Sequence, residues 1–476
     1  MAAWLFKKLA SFVILAYGFV SLLVYGLFAV KAGIFFKRPT EKETLELQIA
    51  RNQFWDLSKD WAGFVHHILP LRSGFKFHYV SNDSDSCEDQ SKPVVVFLHG
   101  FPDSWAIWRH VLRSTVLRES STLIAVDLPG YGGSDSFEEY SPTNVLESLT
   151  EFIIAIRAKY GVDGEDGSQQ KTLIIVAHDW GCVLAMRLAS EAPQLADRFI
   201  MTNGPLTRLA VSNARRLLSS SLKMFKISLR SPIQSRATLC NAIKTLSPLI
   251  RQLRRSKYIF AMQLPLVFVR YMGRGGNQSF LKLIHRSSYA KREVTSQDAA
   301  ESMASSMGPS TEECKTQTPD GEEYPTSLKN DRAPSSFQHM AGYYRDKTSV
   351  GRWHKSVESI TALHSIACGR SIRRASSGTG LFDEGPRGAL KACATILWGK
   401  NDIALEPQIC LDGIADYLVP DSQLIELPLS GHFTPLERES QVALEKAIEW
   451  AAKGEKEDIG TVIKACYPNS VVTVRK

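Results

Sequence analysis

The chain has 476 residues, of which 44% are hydrophobic and 22% charged, and its formal net charge is +8. This composition is typical of a globular protein with a large core and excludes a fibrous or wholly disordered chain. The basic residues accompany no aromatic or glycine signature of a nucleic-acid module, so no nucleic-acid partner is predicted. The eight cysteines stand singly without CxxC spacing, which predicts free thiols and no structural metal.

An uncharged run of 22 residues, from Leu9 to Val30, lies near the N-terminus. Roughly 20 residues of helix cross the hydrocarbon core of a bilayer. The run therefore predicts a single-pass N-terminal anchor in the endoplasmic reticulum or another endomembrane. A cleaved signal peptide is the alternative, but its apolar region would be unusually long and no A-x-A site follows it.

The charges that flank the run leave the sidedness of the anchor open. Two lysines precede the run, and three basic residues follow it by position 38; the excess favours a cytosolic catalytic domain. The Asn-x-Ser triplets at Asn82 and Asn277 favour the opposite side, although such triplets also arise by chance. The oligomeric state is open as well.

Short apolar segments then alternate with helical patterns. Strand-like segments occupy residues 74–79, 93–100, 121–130, 171–181 and 198–205. A helical pattern spans about 143–160. Continuous apolar strands that alternate with helices predict an α/β fold, with a mostly parallel sheet covered on both faces.

The pattern changes over residues 206–350, which are helical and basic. Within them, about 287–336 is rich in Ser, Thr, Glu, Asp and Pro, and this predicts a disordered insertion. The strand pattern returns at 393–402 and 422–433, and a final helix is predicted from about 437 to 452. The sequence thus predicts a helical lid inserted into an α/β sheet.

The predicted division of the chain has five parts. These are an anchor with its flanks (1–40), the first part of the core (41–206), the helical lid with its disordered insertion (207–389), the second part of the core (390–455) and a C-terminal tail (456–476).

The sharpest chemical signal is the segment Ala177-His178-Asp179-Trp180-Gly181 at a predicted strand-to-helix junction. A nucleophile elbow places its central residue on a tight turn and needs small residues two positions to either side. Ala177 and Gly181 satisfy this requirement, so Asp179 is the candidate nucleophile. Its carboxylate would attack an sp3 carbon atom of the substrate and become an ester, which water would then hydrolyse. The alternative is that Asp179 only caps the helix.

The loop His99–Pro102 follows the strand at 93–98. In a hydrolase sheet this loop lies beside the elbow and donates a backbone N–H to an oxyanion hole. The predicted donors are the N–H groups of Phe101 and Trp180. His99 and His178 are predicted to be structural.

The far end of the chain supplies an acid and a histidine. Asp402 follows the strand that ends at Trp398, and His432 follows the strand that ends near Leu427. The order nucleophile, acid, histidine is that of α/β-hydrolases. His432 would be the general base for the water that attacks the ester, and Asp402 would fix its tautomer. Glu406 is the rival acid.

Five motifs occur in a recognisable order: HGFPDSW (99–105), DLPGYGGSD (127–135), HDWG (178–181), GKND (399–402) and SGHF (430–433). With them, residues 74–206 and 390–452 resemble the epoxide hydrolase and haloalkane dehalogenase branch of the α/β-hydrolases. The resemblance implies a mechanism that needs no metal and no organic cofactor.

The resemblance also implies two tyrosines in the lid, which hold the epoxide oxygen in this family's epoxide hydrolases. Tyr258, five residues before Gln263, matches the first. Tyr344, immediately before Arg345, matches the second, with Tyr343 as the alternative. Either tyrosine could instead be an amphipathic side chain that packs on the core.

The function implied is hydrolysis of lipophilic epoxides to vicinal diols through an aspartyl ester. Two alternatives stand beside it: a haloalkane or haloacid dehalogenase with the same triad, and a non-catalytic binding protein of the same fold. The anchor and the basic lid suggest that an apolar substrate partitions from the bilayer.

Overall fold

The computed structural model describes residues 2–83, 92–164, 170–230, 235–288, 294–331, 337–374 and 385–475. Its centre is a nine-stranded sheet in the order β1-β2-β4-β3-β5-β6-β7-β8-β9. The strands are β1 (Val65–Pro70), β2 (Lys76–Ser81), β3 (Val94–Leu98), β4 (Thr122–Val126), β5 (Leu173–His178), β6 (Arg198–Thr202), β7 (Cys393–Gly399), β8 (Gln423–Leu427) and β9 (Val471–Val474). The sheet from β4 to β8 is parallel, and β1, β2 and β9 are antiparallel to their neighbours.

The α-helices of the described residues follow the strands in the expected alternation. They are α1 (Ala2–Lys31), α2 (Glu41–Trp55), α3 (Arg109–Leu112), α4 (Thr115–Ser120), α5 (Pro142–Lys159), α6 (Trp180–Glu191), α7 (Thr207–Arg230), α8 (Arg236–Arg255), α9 (Lys257–Ala261), α10 (Leu266–Ser288), α11 (Ser296–Met307), α12 (Thr326–Asp331), α13 (Phe337–Arg345), α14 (Val357–Arg374), α15 (Pro407–Cys410), α16 (Arg438–Ala452) and α17 (Ile459–Cys466). Helix α10 is interrupted by non-helical backbone from Gly275 to Gln278.

The central strands confirm the predicted parallel sheet. Every residue of β3, β5 and β6 is buried, because helices cover both faces of a parallel sheet and leave no polar side. The predicted strand at 74–79 is β2. It pairs with β1, a strand that the sequence analysis did not predict. The two histidines of β1 interrupt its apolar pattern, and one of them, His66, is buried against His78.

The helices α7 to α14 lie between β6 and β7 and are called the insertion below. The prediction of disorder over 287–336 is wrong for residues 294–331, where α11 and α12 form; residues 289–293 and 332–336 lie outside the described part. Helix α11 is polar in composition but packs against α2. The Trp55 indole N–H donates to the Ala304 carbonyl at 2.9 Å, and the buried Arg109 pairs with Glu301 at 2.8 Å. Buried polar partners therefore help to order a segment that is poor in apolar residues.

The C-terminal segment, predicted to be a tail, belongs to the sheet. Strand β9 pairs antiparallel with β8, from Gln423 opposite Val474 to Glu426 opposite Val471. Helix α17 packs on α16 and buries Ile463 completely. The strand is only four residues long and mostly exposed, so its sequence carries little of the apolar signal by which the other strands were predicted.

Helix α1 is, by length and composition, able to cross a membrane: Lys8–Lys31 has a mean hydropathy of 2.3 and is mostly exposed. One face of α1 lies on the insertion. The Tyr17 hydroxyl donates to the Leu253 carbonyl at 3.1 Å, and the Tyr17 ring stacks edge-on against Phe260 with centroids 4.8 Å apart. The apolar run is thus packed against the folded domain along one side only.

The two asparagines of the Asn-x-Ser triplets are hydrogen bonded within the fold. The Asn82 amide donates to the carbonyls of Arg118 and Ser121, each at 3.2 Å. The Asn277 amide donates to the Lys37 carbonyl at 2.6 Å. Each amide nitrogen therefore already has a partner within the protein.

Candidate active site

The elbow is built by the junction of β5 and α6. Asp179 stands between them with φ 49° and ψ −114°, a strained conformation for a residue with a side chain and one that is found at functional turns. The predicted need for small neighbours is visible at Gly181, where a Cβ would lie 2.2 Å from the Leu98 carbonyl oxygen. Ala177 is buried opposite Leu98 in the register of β5 and β3.

The backbone N–H groups of Phe101 and Trp180 lie near the Asp179 carboxylate and lower its pKa. The loop that carries Phe101 lies tightly against the elbow, since a Cβ on Gly100 would be 2.5 Å from the Asp179 Cβ. Burial raises the pKa of Asp179 to about 6, although the charge of His432 and the two N–H donors oppose this effect. The structure therefore brings both predicted donors to the predicted nucleophile.

The predicted acid and histidine meet in a direct hydrogen bond, with 2.8 Å between His432 Nδ1 and Asp402 Oδ2. The other carboxylate oxygen of Asp402 accepts from the N–H groups of Ala404 and Leu405 at 2.7 and 2.8 Å. Burial lowers the pKa of His432, but the charge and hydrogen bond of Asp402 and the charge of Asp179 outweigh it and raise the pKa to about 9. An imidazolium is thus stabilised between two carboxylates.

Asn203 is a positioning residue that the sequence analysis missed. Its amide nitrogen donates to Asp402 Oδ2 at 2.7 Å, and its oxygen accepts from the Gly399 N–H at 3.0 Å and the Thr434 hydroxyl at 2.9 Å. The residue is buried and has a positive φ of 46°. The available signal was an asparagine directly after the strand beside the elbow, where a short polar side chain tolerates left-handed backbone.

The rival acid and the alternative tyrosine have other partners. Glu406 accepts from Arg251 at 2.8 Å and pairs with Arg255 at 3.3 Å, which ties the insertion to the core. The Tyr343 hydroxyl donates to the Pro129 carbonyl at 2.9 Å. The structure therefore places Asp402, and not Glu406, at His432.

The two histidines predicted to be structural are both buried. His99 Nε2 accepts the N–H of Leu128 at 2.9 Å, a bond that fixes the adjoining loop. His178 lies with Nδ1 3.2 Å from both oxygens of Thr202, and its ring centroid is 5.2 Å from that of His432. Burial lowers the pKa of both histidines, so neither carries a charge at neutral pH.

Tyr258 and Tyr344 meet above the elbow. Their rings pack edge to face with centroids 5.7 Å apart, and the Tyr344 ring lies 4.9 Å from that of Trp180. Burial raises the pKa of both hydroxyls, and the nearby negative charge of Asp179 raises it further. Both phenols therefore stay protonated at neutral pH and can donate hydrogen bonds.

Two side chains join the segments that carry these tyrosines. The Gln263 amide donates to the Tyr344 carbonyl at 2.9 Å. The Arg345 guanidinium donates to the carbonyls of Met262 and Leu264 at 2.6 and 2.7 Å. The Gln and Arg that marked the two tyrosines in the sequence are thus the residues that hold α9 against α13.

A cavity of about 230 Å³ lies between the sheet and the insertion, which is room for a small organic molecule. Asp179, His432 and Tyr258 line it together with Phe101. It is also lined by Tyr25 of α1, which the sequence analysis treated only as part of the anchor. Its position on the face of α1 toward the insertion is a matter of tertiary packing and leaves no trace in the sequence.

Comparisons with known proteins agree with this architecture. A family model described as "Alpha/beta hydrolase family" matches residues 95–445 of the chain. The chain is 32% identical to mouse "Epoxide hydrolase 3" over 142 residues, which cover 29% of this chain and 34% of that protein. It is 33% identical to "Epoxide hydrolase B" of Mycobacterium tuberculosis over 125 residues, which cover 26% and 31% of the respective chains.

The chain therefore spans about a third of the length of the curated relatives that it matches. A crystal structure of a Bacillus megaterium epoxide hydrolase with an inhibitor aligns with a TM-score of 0.49 at 21% identity, covering 81% of this chain and 99% of that one. The family model spans most of the chain, and the sheet, the elbow and the acid–histidine pair follow the order of that family. This protein is a member of the alpha/beta hydrolase family.

Proposed function

We propose that this protein hydrolyses epoxides to vicinal diols through a covalent ester on Asp179. The observation that carries the proposal is the shared cavity: the buried carboxylate of Asp179, the histidine of the acid–histidine pair and a protonated tyrosine line the same space. The relatives named above are epoxide hydrolases, which supports this chemistry.

In the first step, a carboxylate oxygen of Asp179 attacks one carbon of the oxirane, and the bond from that carbon to the ring oxygen breaks. The developing alkoxide takes a proton from Tyr258 or Tyr344, whose hydroxyls are protonated for the reason given above. Charge stabilisation by a positioned donor is worth about 3–4 kcal/mol in acyl chemistry.

In the second step, His432 removes a proton from a water molecule whose oxygen attacks the ester carbonyl. Asp402 is the main cause that raises the pKa of His432, and the charge of Asp179 adds to it. Formation of the ester removes the charge of Asp179 and thereby favours loss of the imidazolium proton. The N–H groups of Phe101 and Trp180 hold the oxyanion. Its collapse breaks the bond to the substrate oxygen, which takes the proton held by His432 as the diol leaves. The carboxylic acid formed at Asp179 passes its proton through solvent to the tyrosinate, which restores the tyrosine and a carboxylate that now contains one oxygen from water.

The pair of phenols distinguishes this proposal from a dehalogenase. A departing halide needs no proton, whereas the oxygen of an opened epoxide does. Tyr258 and Tyr344 are proton donors beside the nucleophile and are held there by Gln263 and Arg345. A non-catalytic protein would have no reason to keep a buried acid–histidine pair beside a strained aspartate.

The proposal includes a retained membrane anchor formed by α1. Its apolar side chains stay exposed along one side, for example Leu9 at 60% and Leu23 at 64%, and their burial in lipid would be favourable. The other side contacts the insertion through Tyr17 and Tyr25. A helix that forms a wall of the cavity is not expected to be removed as a signal peptide.

The test is to trap the ester. A His432→Gln variant of the full chain, incubated with an epoxide, should form the adduct but fail to hydrolyse it. Mass spectrometry should find the mass of the epoxide on the peptide that contains Asp179. The Asp179→Ala, His432→Gln double variant is the matched control and should carry no adduct.

The proposal is wrong if the single variant turns over at the wild-type rate or carries its adduct on another residue. A complementary measurement is multiple turnover in isotopically labelled water. The label should appear in the carboxylate of Asp179, because each cycle replaces one of its oxygens.

A further inference from the structure

A groove between α1 and α10 meets the cavity of the candidate active site at two shared side chains. The groove has a volume of about 440 Å³ and is lined by Tyr25, Phe28, Lys31, Ala32 and Leu283. Tyr25 and Leu283 also line the cavity that contains Asp179. These two residues, called the gate pair below, therefore stand between the groove and the candidate active site.

The gate pair joins two elements by side-chain contacts alone. Tyr25 lies on α1 and its ring packs edge-on against Phe280 of α10, with centroids 5.2 Å apart. Leu283 stands one turn beyond Phe280 on α10. Both residues are half-buried, and a passage would open by rotation of these two side chains.

The outer side of the groove faces the apolar surface of α1. Phe28 is 55% exposed, and Leu27 beside it on the helix is 60% exposed. Lys31 at the rim would keep its ammonium group at the level of the lipid headgroups while its stem lies along apolar surface. The groove would then lie at the boundary between headgroups and acyl chains, where a lipophilic epoxide concentrates.

The cavity also has lining residues that do not belong to α1. Arg255, Ser287 and Ile403 line it, and Ser287 and Ile403 are exposed. An opening at these residues would serve the water that the second step consumes and the diol that it releases.

We infer that lipophilic epoxides reach the active site from the bilayer through the groove and the gate pair, and that α1 is part of the substrate route. The inference rests on the proposed function. It assigns to α1 a role in substrate selection beyond attachment, because a substrate dissolved in lipid need not cross water to reach Asp179.

The test blocks the groove after folding is complete. Ala32→Cys places a thiol in the groove at a position that does not line the cavity, and a bulky maleimide then fills the groove of the purified full chain. Two substrates are compared before and after labelling: a long-chain terminal epoxide in phosphatidylcholine vesicles and propylene oxide in water. Activity before labelling shows that the variant is folded.

The readout is kcat/KM for the lipid-dissolved epoxide divided by kcat/KM for propylene oxide. Labelling of Ala32→Cys should lower this ratio about tenfold, the lower end of the range over which association rates vary among variants of one binding surface. Leu27→Cys, on the exposed side of α1, and the wild type with its exposed Cys240 are matched controls whose ratio should not change.

An unchanged ratio after complete labelling of Ala32→Cys would overturn the inference, as would an equal fall in the Leu27→Cys control. Failure of the proposed function gives a different result, because the unlabelled wild type would then open neither epoxide.

Discussion

The sheet and the insertion contribute to the same site by different means. Asp179, Asp402 and His432 follow buried parallel strands, and backbone N–H groups or short side-chain bonds fix them. Tyr258 and Tyr344 lie on short helices that Gln263 and Arg345 join through single side chains. The sheet can therefore hold a reactive geometry by itself, whereas the insertion can hold its donors only while its helices stay together.

The largest expected effect comes from a substitution in the part of the site that the sheet carries. Asp402→Asn keeps the shape of the side chain but removes the charge that orients and stabilises His432, so kcat should fall about 10⁴-fold. The ester on Asp179 should accumulate, and rapid quenching with mass spectrometry would detect it.

Glu406→Gln is the matched control, because Glu406 pairs with Arg251 and Arg255 of the insertion and not with His432. Glu406→Gln should slow ester hydrolysis less than about tenfold, because an ion pair with partly exposed arginines contributes little free energy. Equal losses in the two variants would show that the structure assigns the acid to the wrong carboxylate.

The second prediction concerns the insertion. Tyr258→Phe and Tyr344→Phe should each slow ester formation about 10²-fold, since each removes a proton donor to the opening ring. Ester hydrolysis should be unchanged, and single-turnover kinetics separate the two steps. Tyr343→Phe is the control, because its hydroxyl is bound to the Pro129 carbonyl. A fall in ester hydrolysis, or an equal effect of Tyr343→Phe, would contradict these roles.

The smallest expected effect is the dependence of the rate of ester formation on pH. Ester formation needs Asp179 ionised, and its pKa is raised to about 6. As the pH falls through this value the carboxylate is protonated, so the rate should fall about tenfold for each further unit. An acid limb at about pH 4, where an ordinary aspartate titrates, would contradict the burial of Asp179.

The His432→Gln variant sharpens this measurement. The positive charge of His432 lowers the pKa of Asp179, so its removal should move the acid limb of ester formation to higher pH. An unmoved limb would mean that the two groups do not interact.

Elements whose signal is local were predicted well. The strands β3, β5 and β7 were predicted because parallel strands buried on both faces are continuously apolar. The segment 294–331 was not, because its order comes from buried partners such as Arg109 and Trp55 that lie far away in sequence. A local sequence pattern does not show which distant residues will become partners in the fold.

The candidate site shows the same difference between features with a local sequence signal and features that depend on distant partners. The spacing around Asp179 and the order of Asp402 and His432 were read from the chain, since tight turns and strand ends impose residue types locally. The support from Asn203 and the wall formed by Tyr25 were not, because each depends on which surfaces meet after folding.

By itself, the sequence determined the central parallel strands of the sheet, the elbow with its nucleophile candidate, the histidine and the two candidate acids. Local backbone sterics and burial periodicity dictate these features within a few residues. Only the tertiary structure decided that Asp402 and not Glu406 reaches His432, that residues 294–331 are ordered, and that Tyr25 of α1 lines the cavity. Each of these features depends on contacts between segments that are distant in sequence. The packing of the whole chain decides which of those segments meet.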